Sequence, residues 1–137
     1  MQQTRKYVMK TRLELEAIAK IIVDAIIFVH RLLGPGLLES TYQACLAHEL
    51  RKRSLHVRCE VVLPVFYDGV EIEAGYRIDM LIEEAIIIEN KAVQALLPIH
   101  EAQLLTYLKL SDLKLGFLLN WNVTLMKDGI QRMVNKL

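Results

Sequence analysis

From about Arg12 to Leu33 the apolar residues fall at Ile18, Ile21, Ile22, Ala25, Ile26, Val29 and Leu33, a spacing that predicts an amphipathic helix. Ile27 and Phe28 lie off that stripe, so the helix is more apolar than a surface helix needs. Either it is buried on several sides or it packs against a second subunit, which would make a homodimer through this first helix. Gly34-Pro35-Gly36 ends it. A second helix is predicted from about Leu38 to Arg53, with Leu38, Tyr42, Cys45, Leu46 and Leu50 facing the core and Glu39 on the edge of that face. After His56 the period changes to that of strands. One runs from Val57 to Phe66 with a bend at Pro64, and a turn follows at Tyr67-Asp68-Gly69. Val70 to Ile82 makes one long or two broken strands, and Ala85 to Val93 another. Pro98 opens a helix to about Leu110, and Leu115 to Trp121 is a strand. Val123–Met126 and Ile130–Val134 flank Lys127-Asp128-Gly129 and predict a closing hairpin, because Asp-Gly is a strong turn signal. The class is α/β, a central mixed sheet flanked by helices.

One strand breaks the apolar pattern. Ile86-Ile87-Ile88 runs directly into Glu89-Asn90-Lys91. Alternation puts Glu89 and Lys91 on one side, about 6–7 Å apart along the strand. Asp79 lies ten residues before Glu89, on a strand whose alternation puts Tyr76, Ile78, Met80 and Ile82 on one face and Arg77, Asp79 and Leu81 on the other. If Glu83-Glu84-Ala85 is a three-residue loop, Asp79 stands opposite Glu89; a two-residue loop would send Glu89 to the other face. In that odd register two carboxylates converge with a lysine beside them. Such a set suits Mg²⁺, which takes one or two carboxylates plus waters and substrate phosphate. Lys91 would then orient the attacking water or neutralise charge developing on the phosphate. An ordinary surface hairpin carrying Asp, Glu and Lys is the competing reading. On the helix after Pro98, Gln103 and Tyr107 share a face, with His100 three residues before Gln103. They make a plausible pair for holding a phosphate or a water; scattered polar positions are the plain alternative.

The 137 residues fit one domain, and 53% hydrophobic content supplies a core. Net charge is +1, so any nucleic-acid contact must come from a local patch. Arg51-Lys52-Arg53 with Arg58 is such a patch, although cations at a helix C-terminus also complement its dipole. Trp121, the sole tryptophan, reads as packing. Cys45 and Cys59 make neither a disulfide framework nor a zinc site and suit a reducing compartment. No signal-peptide pattern opens the chain, and charges interrupt the apolar run from Ala17 to Leu33, which excludes a membrane span. The expectation is a cytoplasmic protein with a flexible leader over residues 1–11 and a single domain over 12–137.

Gly36-Leu37-Leu38-Glu39-Ser40-Thr41-Tyr42 resembles the signature of the small bacterial and archaeal GxxExxY proteins, which belong to the PD-(D/E)XK nuclease-like superfamily. The flanking segments from Val29 to Gly36 and from Pro98 to Leu105, and the Lys127-Asp128-Gly129 turn, are similar to that family too. The resemblance covers about residue 12 to the end and implies a restriction-endonuclease-like core. Carried onto this chain it makes Asp79 and Glu89 ligands of Mg²⁺ or Mn²⁺, helped by Glu39, and Lys91 the catalytic lysine. Gln103 and Tyr107 resemble the Q-x₃-Y motif of the RecB-type branch. The implied activity is metal-dependent hydrolysis of DNA or RNA. A fold does not prove a function, so a silent nuclease-like fold binding nucleic acid or protein is the alternative. Asn90 departs from the pattern, since the middle residue of E-x-K is usually apolar. Either its face is partly solvated, or Asn90 bonds a neighbouring backbone group.

Overall fold

The computed structural model describes residues 9–73 and 75–137. Most of the leader, residues 1–8, lies outside the described residues. Helix α1 spans Arg12–Leu33 and starts at a capping box, in which Thr11 and Glu14 satisfy each other's backbone N–H. It ends at Gly34, whose φ of +68° favours glycine. Helix α2 spans Glu39–Lys52. The strands β1 (Val57–Val62), β2 (Val65–Tyr67), β3 (Val70–Ile72), β4 (Arg77–Ile82) and β5 (Ile86–Lys91) follow. Helix α3 (Pro98–Ser111), strand β6 (Leu115–Asn120), a short 3₁₀ helix (Met126–Gly129) and strand β7 (Ile130–Val134) complete the chain. The main sheet has the order β1-β4-β5-β6-β7, while β2 and β3 form a separate hairpin. Among the described residues only β5 and β6 pair in parallel, and α3 is the crossover such a pair requires.

Helices α1 and α2 cover one face of the sheet, and α3 covers the other. The first core joins Ile22, Ile26 and Leu46 to Met80, Ile86 and Ile88; the second joins Leu104 and Leu108 to Leu81, Ile87 and Leu118. Strands β5 and β6 are buried on both faces, which explains their unbroken apolar runs. Along α1 the stripe is Leu15, Ala19, Ile22, Ala25, Ile26 and Val29. Of the residues beside it, Ile27 is half-buried, and Phe28 lies under the Arg53 guanidinium, 5.5 Å from its ring centre. No helix among the described residues is long and apolar enough to cross a membrane.

Four expectations are corrected. Leu38 is 73% exposed, because it precedes the first turn of α2; Ala47 takes its place in the core with Tyr42, Leu46 and Leu50. There is no strand over 123–126: the chain leaves β6 through a loop and the 3₁₀ helix, and β7 pairs with β6 instead. Gly129 is required for closeness rather than for a turn angle, since a Cβ there would sit 2.1 Å from the Asn120 carbonyl oxygen. Gly129→Ala is therefore expected to lower the denaturant midpoint, at a cost of about 1–3 kcal/mol. The other two corrections concern Ile78 and Asn90, within the site.

Candidate active site at the divergence of strands β4 and β5

The turn between β4 and β5 has the odd length. Ile82 pairs with Ile86, Leu81 with Ile87 and Met80 with Ile88, leaving Glu83-Glu84-Ala85 as the loop and Asp79 opposite Glu89. Glu83 and Glu84 both have positive φ, 54° and 53°, as a type I′ turn demands. Side-chain bonds hold this strained pair: Glu83 accepts the His56 N–H at 2.6 Å, and Glu84 takes two bonds from Arg58 at 2.7 and 2.8 Å.

The β4–β5 ladder stops at Met80 and Ile88. Beyond it, side chains replace the backbone. The Asp79 N–H donates to Glu89 Oε2 at 2.8 Å, and the Asn90 N–H donates to Asp79 Oδ2 at 2.8 Å. On the other side of β4, Glu60 falls unpaired between the Cys59–Met80 and Val61–Ile78 pairs, with φ of +54°. The count is equal on both strands, so the chain twists here without inserting a residue. That twist turns Ile78 away from Met80 and Ile82 and into the core under α3, against the alternation expected from sequence. It also leaves Asp79 lining an open cleft of about 880 Å³ between α2 and the sheet, together with Lys91.

From α2 the cleft receives Glu39, Gln43, Ala47 and Arg51. These are four residues apart, one stripe of a helix. Glu39 is exposed at the rim, at the start of α2. Glu60 also lines the cleft and accepts a bond from Gln43 Nε2 at 2.8 Å. Sequence reasoning missed Gln43 and Glu60. The four-residue step from Glu39 was the available signal for Gln43; Glu60 shows itself only once β1 is in register with Asp79.

Asn90 is 3% exposed, so its face is not solvated, and it bonds side chains rather than backbone. Its Oδ1 accepts the Trp121 Nε1–H at 2.9 Å, and its Nδ2 donates to Gln43 Oε1 and Met80 Sδ, both at 3.3 Å. A buried indole needs an acceptor, and Asn90 is that acceptor. Trp121 in turn stacks on Tyr42 at 4.8 Å and 5°. Tyr42 donates its hydroxyl proton to the Gly34 carbonyl at 2.5 Å and accepts the Leu37 N–H at 3.1 Å. Tyr42 thus pins the loop that leads into Glu39. Asn120 fixes the chain just beyond the same end of β5, with bonds of 2.9 and 3.1 Å to the backbone of Val93.

Burial, with the Asp79 charge second, pushes Glu89 up to about 8. Asp79 is also raised, chiefly by burial and further by Glu60 and Glu39, while the Asn90 N–H and Lys91 pull it down. On the α3 side Tyr107 is buried and its hydroxyl is raised by burial and then by the Glu89 and Asp79 charges. Asp79, Lys91 and Glu39 thus line one cleft, Glu89 is bonded to the Asp79 backbone beside it, and Tyr107 lies on the α3 side within reach of both carboxylate charges. Gln103 is half-buried on α3 and makes no side-chain hydrogen bond among the described residues. His100 accepts the Leu97 N–H at 3.0 Å and so caps α3.

The donor set fits a hard divalent cation. Glu89 is a buried carboxylate and Asp79 a half-buried one, and no ion pair within 4.0 Å reaches either among the described residues. Among the described residues no cage of three or more ligating acid, His or Cys side chains is assembled, so waters and substrate oxygens would complete the shell. A pH dependence follows. Glu89 binds its proton more tightly folded (about 8) than unfolded (4.5). The metal-free protein therefore holds this contribution below about pH 4.5 and loses it as pH rises toward 8, on the order of a few kcal/mol. Thermal melts across that window should show the fall, Glu89→Gln should flatten it, and added Mg²⁺ should offset it at the alkaline end.

A model of the PD-(D/E)XK nuclease superfamily matches residues 16–133. Searches of curated proteins and of solved structures find no match. The matched span contains α2, the diverging strands and α3, and the five-stranded mixed sheet flanked by helices is a restriction-endonuclease-like fold. By fold and by family, this chain belongs to the PD-(D/E)XK nuclease superfamily.

Proposed function

We propose that this chain is a metal-dependent nuclease that hydrolyses phosphodiester bonds in DNA or RNA in the cytoplasm, and that residues 12–137 form one nuclease-like domain of the GxxExxY type. The observation that carries the reading is the mutual capture of Asp79 and Glu89 beside Lys91, where β4 and β5 part over an open cleft. A buried carboxylate held against a half-buried one costs stability, and a fold keeps such a cost where chemistry needs it.

Asp79 and Glu89 would hold Mg²⁺ or Mn²⁺, with Glu39 acting across the cleft; the ion supplies Lewis-acid stabilisation of a phosphoryl oxygen and a lowered pKa for bound water. Lys91 places its ammonium against the phosphate, offsetting charge as it develops and orienting the attacking water. Tyr107 holds a hydroxyl beside Glu89 on the α3 side and orients the phosphate or the nucleophile, with Gln103 one turn away. Gln43 and Asn90 position rather than react: they tie α2 and β5 into one frame. The partner is nucleic acid. The homodimer expectation attaches to the apolar groove between α1 and α2 lined by Phe28, Leu32 and Cys45; light scattering decides it, a monomer at high concentration removing it.

The test is cleavage of single- and double-stranded DNA and RNA with Mg²⁺ or Mn²⁺, with chelator as the control. Cleavage lost on chelation is expected. If no substrate is cut and calorimetry detects no metal, the nuclease reading is wrong and a binding module takes its place.

A further inference from the structure

We infer that Tyr76 is a stacking platform for an unstacked base, and that the nuclease proposed above therefore prefers single-stranded or locally unpaired nucleic acid. The inference rests on that reading of the site. Tyr76 lies three residues before Asp79, about 10 Å along an extended chain. At 3.4 Å per stacked nucleotide, that is within about three nucleotides of the reacting phosphate. Its backbone is fixed, since the Tyr76 carbonyl accepts the Leu63 N–H at 2.9 Å. Its ring packs at a tilt against Tyr107, 6.1 Å away at 59°, and Tyr107 is itself a buried residue of α3. Yet Tyr76 is 45% exposed. An aromatic ring packed on one side against Tyr107 and 45% exposed, three residues from Asp79, is open to a base flanking the bond to be cut.

Charge favours the same conclusion. Duplex binding draws its affinity from many cation–phosphate contacts. Among the described residues the cations lining the cleft are Lys91 and Arg51, and Arg51 is committed to the Val57 carbonyl at 2.9 Å. Against them stand Glu39, Glu60 and Asp79 in the cleft and Asp68, Glu71 and Glu73 along the β2–β3 hairpin. A cleft with so few uncommitted cations gives a duplex few phosphate contacts, although Arg77 beside Tyr76 is exposed. Stacking is indifferent to that shortage, because every base has a π-face, and it is the other general source of affinity for single strands.

Fluorescence anisotropy with labelled single-stranded and duplex oligonucleotides tests this, in a Lys91→Ala background with Mg²⁺ so that the probe is not consumed. Single strands should bind more tightly than duplex. Tyr76→Ala and Tyr76→Leu should weaken single-strand binding by about 5- to 100-fold, and Tyr76→Phe should retain it. Unchanged melting temperatures separate this from a folding defect, and Tyr76→Leu keeps apolar bulk without the ring. Equal binding by Tyr76→Leu and the parent, a preference for duplex, or no nucleic-acid binding at all overturns the inference. The two readings fail separately. Tyr76-dependent binding with no cleavage by the Lys91 chain refutes the nuclease alone, whereas cleavage indifferent to Tyr76 and to strandedness refutes the platform alone.

Discussion

Lys91→Ala should lower metal-dependent cleavage by about 100- to 1,000-fold while leaving metal binding nearly intact, whereas Glu89→Ala should lose both. The difference follows from position. Glu89 is buried, faces Asp79 and in the proposed site would supply a ligand; Lys91 is half-buried, lines the open cleft and would supply only charge. Paired kinetics and calorimetry read the split. Glu89→Gln adds a further signature: it removes a buried carboxylate that ionises only near pH 8, so it should raise the melting temperature of the metal-free protein at alkaline pH while abolishing activity. Loss of stability in Glu89→Gln, or equal loss of metal in both alanine variants, would contradict these roles.

Trp121→Ala should be among the most destabilising single changes, by about 3–5 kcal/mol in denaturant titrations. The indole is fully buried, stacks on Tyr42 and donates to Asn90, so its removal leaves a large cavity and an unpaired amide. Asn90→Leu should cost less, about 1–3 kcal/mol, mainly by stranding the indole N–H. It should also reduce cleavage, because Asn90 links β5 through Gln43 to α2 and Glu60. If Asn90→Leu is as stable and as active as the parent, the polar network is not what aligns the site.

The sequence made the helices and the central strands readable because each obeys one period over a long run: α1 at helical spacing, β5 and β6 as apolar runs buried on both faces. The sequence left the β4–β5 turn open between two and three residues; parity said that the odd length would set Asp79 opposite Glu89, and the structure has that length. What stayed hidden depends on tertiary contact. The glycine of Asp128-Gly129 answers a close approach to Asn120, which local turn rules read as a hairpin. Ile78 changes face because the strand twists at Glu60 and Asp79, and strict alternation does not foresee such a twist. Asn90 looked misplaced because its acceptor duty to Trp121 spans 31 residues. Tyr42 read as a core residue; its hydroxyl also holds the loop before Glu39.

The central claim is that Asp79, Glu89 and Lys91 form a single metal-dependent phosphodiesterase centre. A crystal of the Lys91→Ala chain with Mn²⁺ and a short oligonucleotide tests it most directly, through the anomalous signal of the metal. A Mn²⁺ peak bound by both Asp79 and Glu89, with a backbone phosphate beside position 91, is the result expected. No peak at those carboxylates, or an oligonucleotide seated away from the cleft between α2 and the sheet, would contradict it.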